Sequence, residues 1–268
     1  MLSQPFATAS APVVSVITPT WNREALLPFA YRSVAAQREV ALEWIVIDDS
    51  AAPSAFMREL TDLRVIYRHV PQRMTVGEKR NLAVELARGD VIAHFDDDEV
   101  YAPRYLSTML GQMHRHEAEF AKLGAFFVYS RVYGQFGYWD LMRKSGLHFC
   151  WSGRPMTLLN FPHDNPAFAD NHLGYGFSYL YTKRLWAAQP FEPRSFNEDG
   201  LFAAAARSHG ARMTLLADDI GLCLHVLHAH NTSKSYPQFL LPDVLVERHF
   251  PHFCEALAAA AMRSARAP

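Results

Sequence analysis

The chain has 268 residues, half of them hydrophobic, and 26 Lys and Arg against 27 Asp and Glu. That length supports one large α/β domain with a sizeable buried core. A formal charge of −1 leaves no bulk electrostatic case for nucleic acid or a membrane surface, so any binding charge must be local.

Cys150, Cys223 and Cys254 are far apart and lie in apolar or aromatic contexts, which suits buried thiols in a reducing cytoplasm rather than a disulfide framework or a zinc knuckle. The first apolar run, Val13 to Ile17, is too short for a signal peptide. No run approaches the ~20 apolar residues of a membrane span. The expectation is a soluble, cytoplasmic protein. Its Ala-rich end, with Arg263 and Arg266, reads as an ordinary terminal helix, the alternative being a weak peripheral contact at the inner face of the membrane.

In chain order, residues 13–18 read as a buried strand and Pro19-Thr20-Trp21-Asn22-Arg23 as the loop leaving it. From Glu24 to Gln37 the apolar residues Leu26, Leu27, Ala30, Val34 and Ala35 fall on one helical face. Trp44 to Ile47 is a second strand ending in Asp48-Asp49, Pro53 opens a short helix to Leu60, and Arg64 to Tyr67 is a third strand. Gly77-Glu78-Lys79-Arg80-Asn81 begins a helix that stops at Gly89-Asp90. A fourth strand, Val91 to Phe95, then runs into Asp96-Asp97-Asp98-Glu99, and Pro103 opens a helix to about His116. Strands separated by helices imply parallel pairing. Right-handed crossovers bring the loops after each strand to one edge, where such sheets bind ligands. Thr20, Asp49 and Asp96 to Glu99 should therefore line one crevice.

Four adjacent carboxylates repel one another: two charges ~5 Å apart at an effective dielectric of ~20 cost about 3 kcal/mol. Two readings are open at this point. One is a hard divalent cation, Mg²⁺ or Mn²⁺, shared with substrate phosphates; the other is a solvated acidic helix N-terminus.

The regular alternation stops after His116. Residues 124–139 are strand-like and aromatic, 140–176 hold several Pro, Gly and His and read as a long irregular segment, and Phe177 to Thr182 returns to strand. Asn197 to His209 is a helix opening with Asn197-Glu198-Asp199-Gly200; Met213 to Leu216 and Leu222 to Leu227 are the last strands, before His228-Ala229-His230-Asn231. There is no internal repeat, and a second independent domain is not expected.

Four ordered pieces resemble the family 2 glycosyltransferases, which have the GT-A fold: Ser15 to Arg23, Val46 to Ser50, Gly89 to Pro103 and Asn197 to Phe202. Gly77 to Asn81 looks like a Lys-Arg-Asn variant found in bacterial members. The resemblance implies an α/β fold with an open, mostly parallel sheet flanked by helices in a single domain. Its layout would be an extension (1–12), a transferase domain (13–235) with nucleotide-binding (13–116) and acceptor (117–235) halves, and a helical tail (236–268).

The implied activity is transfer of a sugar, with inversion, from a nucleotide-diphospho-sugar, most often UDP-linked, to a hydroxyl acceptor. No nucleic acid is implied as partner, and a homodimer is compatible with the pattern. By resemblance, Asp49 matches the acid that contacts the base, and Pro19, Thr20 and Trp21 the wall around the nucleoside. Lys79 and Arg80 would meet phosphate or ribose. Asp96, Asp97 and Glu198 belong to the donor site, with Asp96 or Asp97 on ribose or sugar hydroxyls or a metal-bound water. Asp98 is the implied Mn²⁺ or Mg²⁺ ligand. Asp199 matches the general base. Of His225, His228 and His230, His228 is the implied second metal or phosphate ligand, with His230 in reserve. Glu99 has no assigned role. A sugar nucleotidyltransferase is the enzymatic rival, disfavoured because the loop after the first strand lacks the glycines that cradle a triphosphate. A non-catalytic nucleotide-sugar-binding protein of the same fold is the other.

Overall fold

The computed structural model describes residues 13–151, 155–228, 234–251 and 253. Its first half is the expected alternation. Strands β1 (Val14–Thr20), β2 (Leu42–Asp48), β3 (Val65–His69) and β4 (Val91–His94) lie in the order β3-β2-β1-β4, and each of their pairings is parallel. All seven residues of β2 are buried, as a central parallel strand covered on both faces requires. Successive residues serve opposite cores. Val14, Val16, Trp44 and Val46 pack with helix α1 (Leu27–Ala35), while Ile17, Ile45 and Ile47 pack with helix α3 (Val76–Leu86). Helix α2 (Ala55–Glu59) forms the short crossover between β2 and β3.

Helix α3 starts one residue earlier than Gly77, because Thr75 and Glu78 close a reciprocal capping box: the Thr75 hydroxyl accepts the Glu78 N–H (3.2 Å) and the Glu78 carboxylate accepts the Thr75 N–H (2.8 Å). After the acids, the chain does not pass straight into a helix. Val100–Tyr101 forms β5, and α4 (Tyr105–Arg115) begins two residues beyond Pro103.

In the second half, β6 (Phe120–Ser130) and β7 (Gln135–Asp140) form an antiparallel pair from the aromatic stretch. The segment expected to be irregular contains a two-stranded sheet of its own, β8 (Gly146–Cys150) with β9 (Thr157–Phe161), followed by short 3₁₀ turns at 166–168, 171–173 and 176–178. Strand β10 (Leu180–Thr182) joins the halves, running antiparallel between β4 and β6. Helices α5 (Lys183–Ala188) and α6 (Glu198–Ser208) follow; β11 (Met213–Ala217) and β12 (Cys223–Leu227) add to β6 in parallel, and β12 also holds β5.

The chain from 236, expected to be wholly helical, first makes β13 (Phe239–Leu241), which extends the sheet through β7, and then α7 (Val244–His249). Among the described residues the result is an eleven-stranded sheet flanked by helices, with the small β8-β9 sheet beside it. Cys223 is buried and Cys150 is partly exposed; Cys254 lies outside the described residues.

Candidate active site

Parallel strands end together, so the loops after β1, β2 and β4 meet at one edge, and α3 and α6 close the space above them. They enclose a cleft of about 710 Å³ whose walls include Pro19, Thr20, Trp21, Lys79, Arg80, Asp96 to Glu99, Glu198 and Asp199. The crevice expected from topology is there, with one difference. Asp49 lies behind its wall, its carboxylate shut from solvent and shared by the Lys79 ammonium (2.8 Å), the Met74 N–H (2.8 Å) and the Arg73 guanidinium. Lys79 also donates to the Thr20 carbonyl (2.9 Å), so its charge is committed within the protein. Burial lowers the Lys79 pKa, and the bond to Asp49 opposes that shift. Arg73 stacks over the Trp21 ring, 4.0 Å from its centroid.

The four acids have four different surroundings. Asp96 faces Arg80 at 3.5 Å, and its Oδ1 has no hydrogen-bond partner. Burial raises its pKa, and Arg80 counters. Asp97 is buried, with one oxygen accepting from the Thr20 hydroxyl (2.6 Å) and the other from Arg23 (2.6 Å). Asp98 also takes the Arg23 guanidinium, and its Oδ2 lies 2.9 Å from Nε2 of His228. Burial alone would raise Asp98, but His228 and Arg23 hold it well below the usual carboxylate range. Burial and the charge on Asp98 push Asp97 up instead. Glu99 turns away from the other three. One oxygen meets Nδ1 of His225 at 2.6 Å and the other accepts the Val226 N–H at 2.8 Å, tying the acid loop to β12. Burial raises Glu99 to about 7, against the pull of His225. The acid loop is thus joined to β12 and to the residue just after it by two acid–histidine pairs.

At the opposite wall, Asp199 sits in the first turn of α6. Its Oδ1 accepts the Gly200 N–H (2.7 Å) and its Oδ2 the Gly176 N–H (2.6 Å). A Cβ on residue 176 would stand 2.7 Å from the Asp199 Cβ, so glycine is required there. Between the two walls lies Arg80, buried, 3.4 Å from Glu198 and 2.5 Å from Nδ1 of His94. It offsets the charge of Asp96 on one side and Glu198 on the other. The Glu198 pKa is raised by burial and pulled back by Arg80.

Asp98 and His228 are the residues that would hold a divalent cation: the carboxylate suits Mn²⁺ or Mg²⁺, and the imidazole would bind through Nε2 once its hydrogen bond to Asp98 is released, while the Asp96 Oδ1, without a hydrogen bond and 3.5 Å from Arg80, belongs to the same acid loop. Among the described residues no three His, Cys, Asp or Glu side chains group as a complete metal site. An ion would therefore draw its remaining ligands from substrate phosphate or water. His230 lies outside the described residues.

Of the residues expected at the site, Thr20, the acid run and Glu198-Asp199 line one cleft, and His228 reaches it only through its contact with Asp98. Sequence reasoning assigned no role to Arg23, Arg73, Gly176 or the Glu99–His225 pair. Arg23 stood within the matching first-strand motif; the others carry no local signal, because each acquires its partner across a long sequence separation.

The sequence profile of Glycosyl transferase family 2 matches residues 15–170, more than half the chain and the whole first wall of the cleft. The chain belongs to this family. Over 103 residues it is 34% identical to the provisionally named colanic acid biosynthesis glycosyl transferase WcaA of Escherichia coli (strain K12), covering 37% of each chain. Over 216 residues it is 26% identical to the succinoglycan biosynthesis protein ExoO of Rhizobium meliloti (strain 1021), covering 78% of this chain and 59% of that one. The chain thus spans between about a third and three fifths of these relatives' lengths. Its fold matches the crystal structure of S. aureus TarS 1–349 in complex with UDP-GlcNAc, with a TM-score of 0.60 at 19% identity over 81% of this chain and 59% of that one. The GT-A fold expected from the sequence is the fold observed. Among the described residues no helix is long and apolar enough to cross a membrane.

Proposed function

We propose that this family 2 glycosyltransferase is metal-dependent and inverting, and moves a sugar from a UDP-sugar to a hydroxyl acceptor by direct displacement. The observation that carries the reading is that one cleft holds Asp98, itself bonded to His228, and an Asp199 carboxylate held by two backbone N–H groups. Direct displacement needs these two features on opposite sides of the sugar: positive charge by the leaving diphosphate, and a base by the incoming hydroxyl.

The base of the nucleotide would lie against Trp21 with the Arg73 guanidinium beside it, while Asp49, behind the wall, holds Arg73 and Lys79 in place. Asp98 and His228 would hold Mn²⁺ or Mg²⁺, which supplies charge to stabilise the departing diphosphate. Arg23 stands where it can pass from Asp97 and Asp98 to a phosphate oxygen. Asp199 would take the acceptor proton; the N–H bonds from Gly176 and Gly200 fix its direction. A uridine nucleotide is favoured by the likeness to TarS, crystallised with UDP-GlcNAc and with UDP. A glycan hydroxyl as acceptor is favoured by the polysaccharides in the names of WcaA and ExoO.

The test is nucleoside diphosphate release from a panel of UDP-, GDP- and dTDP-sugars, with Mn²⁺ or with EDTA. UDP release that needs the metal, and falls by about a hundredfold or more in Asp98→Ala and Asp199→Asn, is the expected result. Thermal stabilisation by UDP without release from any donor would overturn the enzymatic reading, and undiminished release in EDTA would overturn the metal.

A further inference from the structure

Lys122 is the one wholly buried lysine outside the cleft wall among the described residues, and nothing in the proposed chemistry uses it. It lies in β6 between Ala121 and Leu123, opposite Leu215 of β11, in a strand where nearly every neighbour is apolar. Burying an ammonium in such a place is costly, and a methionine would fill the space without that cost. Its ammonium has no carboxylate within ion-pair distance among the described residues. The ammonium donates to the main-chain carbonyl of His172, at 2.7 Å. Burial pushes its pKa down to about 7, with the charge of Asp199 pulling the other way.

His172 belongs to a strap, residues 171–176, that crosses the acceptor side of the cleft. The strap turns through Tyr175, a non-glycine residue at φ +63°, and ends at Gly176, whose N–H holds Oδ2 of Asp199. It lacks regular pairing and is fastened at a few points: Lys122 on His172, Tyr179 on the Leu173 carbonyl, and the Tyr175 hydroxyl on the Lys234 carbonyl (2.9 Å).

We propose that Lys122 is a positioning residue for sugar transfer: by holding the His172 carbonyl from beneath, it keeps the 171–176 strap in the shape that presents the Gly176 N–H to Asp199. This rests on the reading of Asp199 as the base. A small displacement of a reacting group costs far more in rate than in binding, so loss of Lys122 acts on turnover and leaves donor affinity alone.

The test compares Lys122→Met, which removes the donor, with Lys122→Gln, whose neutral amide can still donate, in the full chain. Lys122→Met is expected to lower kcat by about ten- to a hundredfold while donor KM and the thermal shift with UDP stay near wild type. Amide hydrogen exchange over 171–176 should quicken in the same variant, and Lys122→Gln should recover part of both kcat and protection. Wild-type kcat in Lys122→Met, or a loss of kcat with exchange in the strap unchanged, would overturn the proposal; so would an equal loss of donor affinity. If Lys122→Met does not fold, Lys122→Gln alone decides, by whether kcat and strap exchange move together. Asp199→Asn run in parallel separates the two levels. Retained turnover there removes the base itself, whereas a large loss there beside a silent Lys122→Met removes Lys122 only. The double variant should be no worse than Asp199→Asn alone, since both act through one carboxylate.

Discussion

Arg23 and Gly176 show how single residues set the two ends of the cleft. The Arg23 guanidinium lies on both Asp97 and Asp98, so a divalent cation approaching Asp98 must compete with it. Arg23→Ala is expected to tighten Mn²⁺ binding about fivefold, equivalent to ~1 kcal/mol for a partly exposed ion pair, as read from the free Mn²⁺ signal in electron paramagnetic resonance. Weaker binding would mean that Arg23 organises the acids rather than shielding them. Gly176 acts on the other wall. Adding a Cβ brings it within 2.8 Å of the Asp199 Oδ2, so Gly176→Ala should move the carboxylate and lower kcat by about a hundredfold, with the thermal shift by UDP unchanged. A variant that turned over normally would show that Asp199 does not need this contact.

At the scale of elements, helix α3 is the part on which the cleft hangs. Its first turn is capped by Thr75 and Glu78, and Gly77 presses against the 192–194 segment so closely that a Cβ would stand 1.9 Å from the Glu192 carbonyl oxygen. That contact, with the Gly77 N–H on the Arg194 carbonyl at 3.0 Å, lets Arg80 reach Glu198 and Asp96 together. Gly77→Ala is expected to lower stability by roughly 1–3 kcal/mol in chemical denaturation and to impair turnover. Thr75→Ala, which removes only the cap, should cost about 1 kcal/mol and leave the helix docked. Equal effects from the two would mean that the helix terminus, not the close approach, is what matters. The Lys-Arg-Asn piece therefore divides its labour inward: Lys79 goes to Asp49, Arg80 to Glu198, and Asn81 to the Phe191 carbonyl at 2.8 Å.

For the molecule as a whole, the buried lysine gives a pH signature. Lys122 titrates near 7 in the folded chain and near 10.4 when unfolded. Between those values the unfolded state binds the extra proton, so stability rises with pH, by at most about 1.4 kcal/mol per unit. Below about pH 7 both states are charged and the slope vanishes. Wild type minus Lys122→Met, measured by denaturation from pH 7.5 to 9.5, isolates this contribution from that of Glu99 and the other buried acids. A flat difference would mean that the ammonium is not held in an apolar site. The sheet explains why such a residue can matter at a distance: β10 bridges β4 and β6, so the strand bearing Lys122 and the strand leading into the acids belong to one packed layer.

What the sequence determined by itself was whatever is written locally. The apolar runs of β1, β2 and β4, the helical apolar face of α1, the acid run and the helix opening at Glu198-Asp199 rest on neighbours a few residues apart, and the family resemblance rests on the same pieces. Tertiary structure decided the partners. Asp98 meets His228 across 130 positions, Glu99 meets His225 across 126, and Gly176 reaches Asp199 across 23; no periodicity encodes those distances. It also decided which charges face the cleft and which are consumed inside the protein, as with Lys79 on Asp49. The physical reason is that an ionised group is costly to bury alone, so its final place depends on which opposite charge the folded chain brings within reach.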